Sequence, residues 1–226
     1  MYFNDDLTVL LSNIQSTKLS GLSVHDQIMN SHVRKHIFKE VKHSHKPQQA
    51  AVLALLYPDI ERQVHMVFIL RKSYNGHHSG QISFPGGKIE KKDKNLQQTA
   101  LRETHEEIGV SPDKITIVKQ LTPVFIPVSN YHVTPFLAVT LQTPVFIPDT
   151  HEVEQIIEVD FEQILNNPLT DIQKDYFGKT YNLKSFDING LKIWGATAMI
   201  LAEVRQLFNE VKQKSPCNKH GLLGGE

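Results

Sequence analysis

The sequence is short of several things at once. It holds one cysteine, Cys217, close to its end. A single thiol excludes an internal disulfide framework and a thiolate metal cluster, and it suits a reducing compartment. Neither sign of charge is in excess: Lys+Arg and Asp+Glu number 24 each. There is no global basic field to draw nucleic acid, and no nucleic-acid partner is expected. Long hydrophobic runs are absent too. The longest, AAVLALLY from Ala50 to Tyr57, falls far below the ~20 residues that cross a bilayer. The opening MYFNDDLTVL has no basic segment before an apolar core, so no secretory signal is expected, and the closing HGLLGGE matches no lipidation or peroxisomal signal. Cytoplasm is the expected location, with no membrane partner. The 12 histidines are scattered, with no H-E-x-x-H among them, and no internal repeat is evident.

What is present is an ordinary globular pattern, with length for one substantial domain plus additions, or two small ones. Residues 6–41 read as helical, interrupted at Ser20, Gly21 and Ser23. HSHKPQQ reads as a linker. AAVLALLY and HMVFILRK read as strands, as do ISF, ITIVKQL, TPFLAVTL and EQIIEVDF. SNYH is expected to turn. FEQIL reads as a helical turn ending at Asn166-Asn167-Pro168. YNLKSFDINGLKIWG reads as a hairpin turning at Asn189-Gly190. Ala196 to Lys214 is an amphipathic helix, with Met199, Ile200, Val204 and Leu207 as core and Thr197 as a candidate cap. Mixed strands with flanking helices give a layered α/β or α+β domain. The expected division is an N-terminal helical extension over 1–46, a domain over 47–214 and a flexible tail over 215–226.

The segment FPGGKIEKKDKNLQQTALRETHEEIGV, Phe84 to Val110, concentrates the chemistry. Asn95 is placed to cap a helix, with Gln98 in capping-box position, and Gly109 supplies a left-handed stop. Ala100, Leu101, Thr104 and Ile108 form the expected inward stripe. Glu103 and Glu107 are four apart and share a face, read here as exposed; Glu106 adjoins it. Three carboxylates near a helix C-terminus repel each other and meet the negative end of the helix dipole. Local electrostatics this unfavourable mark a functional site. Carboxylate oxygens on a rigid helix are the donors that Mg²⁺ or Mn²⁺ prefers. The bland reading is a solvated face with Arg102 as a local partner. The Pro85-Gly86-Gly87 turn shifts the balance, because glycines let backbone groups approach a ligand.

Gly87, Arg102-Glu103, Glu106-Glu107 and Gly109-Val110 resemble the signature of the Nudix hydrolases, G-x5-E-x7-R-E-U-x-E-E-x-G-U with U apolar. The chain departs from it in two places. Asp93 stands at the acidic position, with eight residues before Arg102, and Thr104 stands at an aliphatic one. The extra residue resembles the coenzyme A pyrophosphatase branch, as do Arg71, Gly80, Gln81, Phe84, Pro85, Gly86 and Gly87 in LRKSYNGHHSGQISFPGG. Lys72 and Gly76 depart from that branch's pattern.

The resemblance implies a Nudix-type α/β/α sandwich with a mixed sheet, carrying N-terminal helices. It implies metal-dependent cleavage of the pyrophosphate of coenzyme A, or of a related nucleotide, into 4′-phosphopantetheine and adenosine 3′,5′-bisphosphate. Gly87, Glu103, Glu106 and Glu107 are then the candidate metal ligands, with Arg102 holding a glutamate and Glu152 as candidate general base, Glu154 as its alternate. Arg71, Lys72, His78, Gly80, Gln81, Phe84, Gly86 and Tyr131 are the candidate substrate contacts. Arg71, Lys72, His77 and His78 are the cations offered for a 3′-phosphate, and Phe125 joins Tyr131 as a candidate wall. Two other readings stay open: a Nudix hydrolase of ADP-ribose, NADH or an oxidised nucleotide, and a ligand-binding module without catalysis. The N-terminal helices are left to pack on the domain, to form a homodimer or to cover the site.

Overall fold

The computed structural model describes residues 1–2, 5–41, 46–72 and 80–214. Three helices open the chain: α1 (Asp5–Ser16), α2 (Gly21–Ile28) and α3 (Ser31–Glu40). The breaks fall at 17–20 and 29–30, so Gly21 and Ser23 lie inside α2 instead of interrupting the helices. The Ser20 carbonyl accepts the Ser23 and Val24 N–H groups, so α2 starts at Gly21. The Asn30 side chain accepts the Val33 N–H at 3.0 Å and starts α3.

The central sheet has eight strands: β1 (Gln48–Pro58), β2 (Val64–Arg71), β3 (Ile82–Ser83), β4 (Gly86–Lys88), β5 (Thr116–Gln120), β6 (Val124–Ile126), β7 (Tyr131–Val139) and β8 (Val153–Asp160). It is mixed. β1 runs parallel to β7, from Gln48 opposite Tyr131 to Leu56 opposite Val139, and its other pairings are antiparallel. Strand β1 is buried on both faces, which is why its sequence is continuously apolar. Leu53, Leu55 and Tyr57 share a core with Ala100 and Ile108 of α4 (Leu96–Ile108). Ala54 and Leu56 belong to the opposite core, with the N-terminal helices and α6 (Gly195–Lys214). Helices therefore cover both faces, in the expected α/β/α layering.

A second, three-stranded antiparallel sheet holds β9 (Leu169–Tyr176), β10 (Lys179–Ile188) and β11 (Leu191–Ile193), after the short α5 (Phe161–Asn166). The β10–β11 turn is Asn189-Gly190, both at positive φ (53° and 83°). Strand β9 has no counterpart among the sequence expectations. Thr197 does not cap α6 through its side chain; its hydroxyl donates to the Ile82 carbonyl at 3.1 Å and ties the helix to β3. SNYH turns only in its first half, since Tyr131 and His132 already belong to β7.

The N-terminal helices pack on α6 through apolar side chains such as Ile14, Val24 and Ile28, around a buried polar latch between α6 and Thr122. The Glu203 carboxylate of α6, 1% exposed, accepts the Thr122 N–H at 3.0 Å and its hydroxyl at 2.7 Å. His25 Nε2 of α2 lies 3.7 Å from it. A Cβ on Gly21 would lie 2.0 Å from Thr122 Oγ1, so only glycine lets α2 approach this closely. Among the described residues no helix is long and apolar enough to cross a membrane.

Candidate metal-assisted active site

Strands β2 and β4 pair with different stretches of the same antiparallel edge of β1, and β4 is set by Gly86 opposite Val52. This brings the PGG turn beneath α4. Gly86 has φ 151°, and a Cβ on it would lie 2.3 Å from the Ala51 carbonyl oxygen. The helix itself is capped as expected: Asn95 Oδ1 accepts the Gln98 N–H at 2.9 Å, and Gly109 ends it at φ 78°. The Gln98 side chain reaches one residue further than the standard box, accepting the Lys94 N–H at 2.7 Å.

Glu107 is not on an exposed face. It points inward, 2% exposed, and its Oε2 accepts the Gly86 N–H at 2.7 Å. The β4 segment covers that side of the helix and supplies a buried donor. Arg71 Nη1 stands 3.4 Å from Glu107 Oε1. Burial pushes the Glu107 carboxyl up to about 8; Arg71 and the Gly86 amide oppose this, and Glu103 and Glu152 add to it. Burial also raises Glu103, against the pull of Arg102.

Arg102 is the hub of the outer site. Its Nε and Nη2 each donate to Asp93 at 2.9 Å, a bidentate pair, and Asp93 is almost fully buried. Its Nη1 donates to Glu103 at 2.9 Å and to Glu106 at 2.6 Å, and its Nη2 to the Lys88 carbonyl at 3.1 Å. Asp93 also accepts from Thr99 and from the Glu90 N–H. The displaced acid of the motif is therefore the anchor that orients Arg102, a role that its spacing did not reveal. The Arg102 guanidinium, with these lesser donors, holds the Asp93 carboxyl well below the usual range. Burial raises Glu106, but Arg102 and Lys92 outweigh it and lower that carboxyl.

A cavity of about 820 Å³ opens beside these groups. Arg71, Gln81, Phe84, Gly86, Gly87, Glu103, Glu106, Tyr131 and Glu152 all line it, together with Phe125. Glu152 Oε2 lies 4.0 Å from Arg71 Nη2. Lys72 and Gly80 do not line the cavity; Lys72 bonds through its N–H to the Glu152 carbonyl at 3.0 Å. Gly76, His77 and His78 fall outside the described residues. Glu154, the alternate base, is exposed on β8 and is not a lining residue. Sequence reasoning missed part of the wall: Met29 and Ile37 from the N-terminal helices and Tyr176 from the β9–β10 hairpin. Each looks locally like core, and only the tertiary fold collects them.

The residues present fit a hard divalent cation. The donors are all oxygen. A Cβ on Gly87 would lie 2.5–2.6 Å from the Glu103 carboxyl, so the glycine keeps that carboxylate against the main chain. Glu107 is a buried acid whose ionised form a cation would favour. Among the described residues no three acidic, histidine or cysteine side chains converge as a ready cluster; Arg102 holds Glu103 and Glu106 instead.

A capped helix bearing R-E-x-x-E-E, set over a glycine turn beside a nucleotide-sized cavity, defines a class of site. The chain belongs to the Nudix family, whose NUDIX domain model matches residues 47–179. It is 33% identical over 172 residues to "Nudix hydrolase 15, mitochondrial" of Arabidopsis thaliana, covering 73% of this chain and 60% of that protein. It is 32% identical over 163 residues to "Nudix hydrolase 22, chloroplastic" of the same plant, covering 69% of this chain and 54% of that protein. To the "Uncharacterized Nudix hydrolase NudL" of Pectobacterium atrosepticum it is 32% identical over 120 residues, covering 53% of this chain and 60% of that protein. The chain thus spans a little over half the length of these relatives.

Proposed function

We propose that this chain hydrolyses the pyrophosphate bond of coenzyme A or a derivative, with Mg²⁺ or Mn²⁺, releasing 4′-phosphopantetheine and adenosine 3′,5′-bisphosphate. The observation that carries this reading is the hydrogen bond from Gly86 N–H to the buried Glu107 carboxylate. It joins the GQISFPGG run to the helix carboxylates around one cavity, so the two motifs serve one substrate. The cavity volume lies in the range of small-molecule sites, about 300–1,000 Å³.

Water adds to one phosphorus. A new O–P bond forms, the bridging P–O bond breaks, and the leaving phosphate takes its electron pair. A divalent ion held by Glu103, Glu106, Glu107 and the Gly87 carbonyl would neutralise charge on the pyrophosphate and acidify the attacking water. Glu152, more than half exposed on the cavity wall, is the candidate to accept the water proton. Arg71 stands between Glu107 and Glu152 and is placed to meet the pyrophosphate oxygens. Arg102, anchored by Asp93, fixes the rotamers of Glu103 and Glu106.

The test is product analysis with a panel of coenzyme A, acetyl-coenzyme A, NADH, ADP-ribose and a nucleoside triphosphate. Release of adenosine 3′,5′-bisphosphate, abolished by chelator, is the expected result. Cleavage of another member alone would keep the reaction class and discard coenzyme A. No cleavage at all would favour the non-catalytic module.

A further inference from the structure

A second cavity, of about 500 Å³, lies between α3 and the β6–β7 segment, outside the carboxylate site. Arg34, Lys35 and Lys39 line it from α3, His25 from α2 and His132 from β7, and none of its described lining residues is acidic. Arg34 lies four residues before Phe38, and Lys35 four before Lys39, so two rows of one helix present cations and an aromatic ring together. Phe38 meets Phe125 edge to face at 5.7 Å, yet remains 54% exposed. His132 Nδ1 is buried with no hydrogen-bond partner among the described residues. Arg34 pairs with Asp26, which takes one of the donors of its guanidinium fork. Arg34 and Phe125 line both cavities, so the two are neighbours.

We infer that this cavity seats the 3′-phosphorylated adenosine end of the substrate, with the base against Phe38 and Phe125 and the phosphate among Arg34, Lys35 and Lys39. The inference rests on the coenzyme A reading. Like charges repeated on one helix repel until an anion arrives, and an exposed ring beside them suits a base. Arg71, by contrast, stands beside Glu107 and Glu152 and does not line this cavity. These cations come from residues before position 47, outside the segment that matches the family domain.

The probe is adenosine 3′,5′-bisphosphate, compared with adenosine 5′-monophosphate by titration calorimetry on the full chain in chelator. The wild type should prefer the bisphosphate by about tenfold or more, the scale of one charge-assisted contact. Arg34→Ala and the exposed pair Lys35→Ala/Lys39→Ala should each erase most of that preference. In turnover, both variants should raise KM for coenzyme A about tenfold more than KM for dephospho-coenzyme A. Equal affinity of the wild type for the two probes, or an unchanged preference in both variants, would overturn the inference. A wild type that binds the bisphosphate selectively but cleaves neither coenzyme would sink the reaction and keep the pocket.

Discussion

The carboxylate of Glu107 and the amide of Gly86 are 21 residues apart in sequence and 2.7 Å apart in space. That bond makes the glycine turn and the acidic helix one unit. It also buries a carboxyl that would need its charge to ligate a cation.

Replacement of Glu107 by glutamine keeps an acceptor for Gly86 and removes the charge. Turnover should fall by roughly 10²-fold or more, the scale for losing one preorganised electrostatic partner. The thermal midpoint should stay near that of the wild type. Near-normal turnover in a folded Glu107→Gln protein would remove the residue from the metal site.

The same group sets a pH dependence of stability in chelator. Its folded value is raised from 4.5 to about 8, so the native state holds a proton that the unfolded chain releases. The stabilisation is full below the unfolded value and is lost as pH rises through the folded one. Wild-type urea midpoints should therefore decline between these limits, and those of Glu107→Gln should decline less. Parallel profiles would contradict the burial of an unmatched carboxyl.

Glu203 behaves in the opposite sense. Burial raises it, but the His25 ring 3.7 Å away and the two Thr122 donors together outweigh that and hold it below its usual value. Its contribution is present above the unfolded value and lost as pH falls through the lower folded one. Acid should therefore loosen the docking of α2 on α6, seen as faster proteolysis of the first 40 residues. Glu203→Gln should show this loosening already at neutral pH, and Gly21→Ala should too, by collision with Thr122. Unchanged proteolysis in both variants would argue against the latch.

Arg102→Ala takes from Asp93 its bidentate partner and leaves it the Thr99 and Glu90 donors. Loss of a charge-assisted pair costs about 1.5–3 kcal/mol, so the urea midpoint should drop outside error. Arg102→Lys should recover only part of it, because an ammonium cannot serve Asp93 bidentately and still reach both glutamates. Full recovery by lysine would show that charge alone matters here.

Arg71→Ala should impair coenzyme A and dephospho-coenzyme A to the same degree, since Arg71 sits between the two carboxylates rather than at a distal phosphate. Steady-state constants for the two substrates decide this. A selective loss for coenzyme A would return Arg71 to the 3′-phosphate.

Elements with their own punctuation were readable from sequence alone. Helix α4 carried Asn95 and Gly109 at its ends, the β10–β11 turn carried Asn189-Gly190, and β1 carried an apolar run of buried-strand length. Strand β9 was not readable. LTDIQKDY alternates with polar and charged residues and buries none of them fully, because it is an edge strand of its three-stranded sheet. The inward turn of Glu107 was missed for a different reason. Helical period puts Glu103 and Glu107 on one face, but only tertiary packing decides that β4 covers that face near Glu107. The Asp93–Arg102 pair likewise depends on a loop path that residue spacing does not encode.

Met29, Arg34 and Ile37 stand in the cavity wall although they precede the family domain. On the proposed reading, the acidic helix that would carry the chemistry and part of the wall that would choose the substrate come from separate stretches of chain. Grafting residues 1–46 onto a relative should therefore shift part of its substrate preference, read as a changed ratio of KM values for coenzyme A and dephospho-coenzyme A, with kcat little altered.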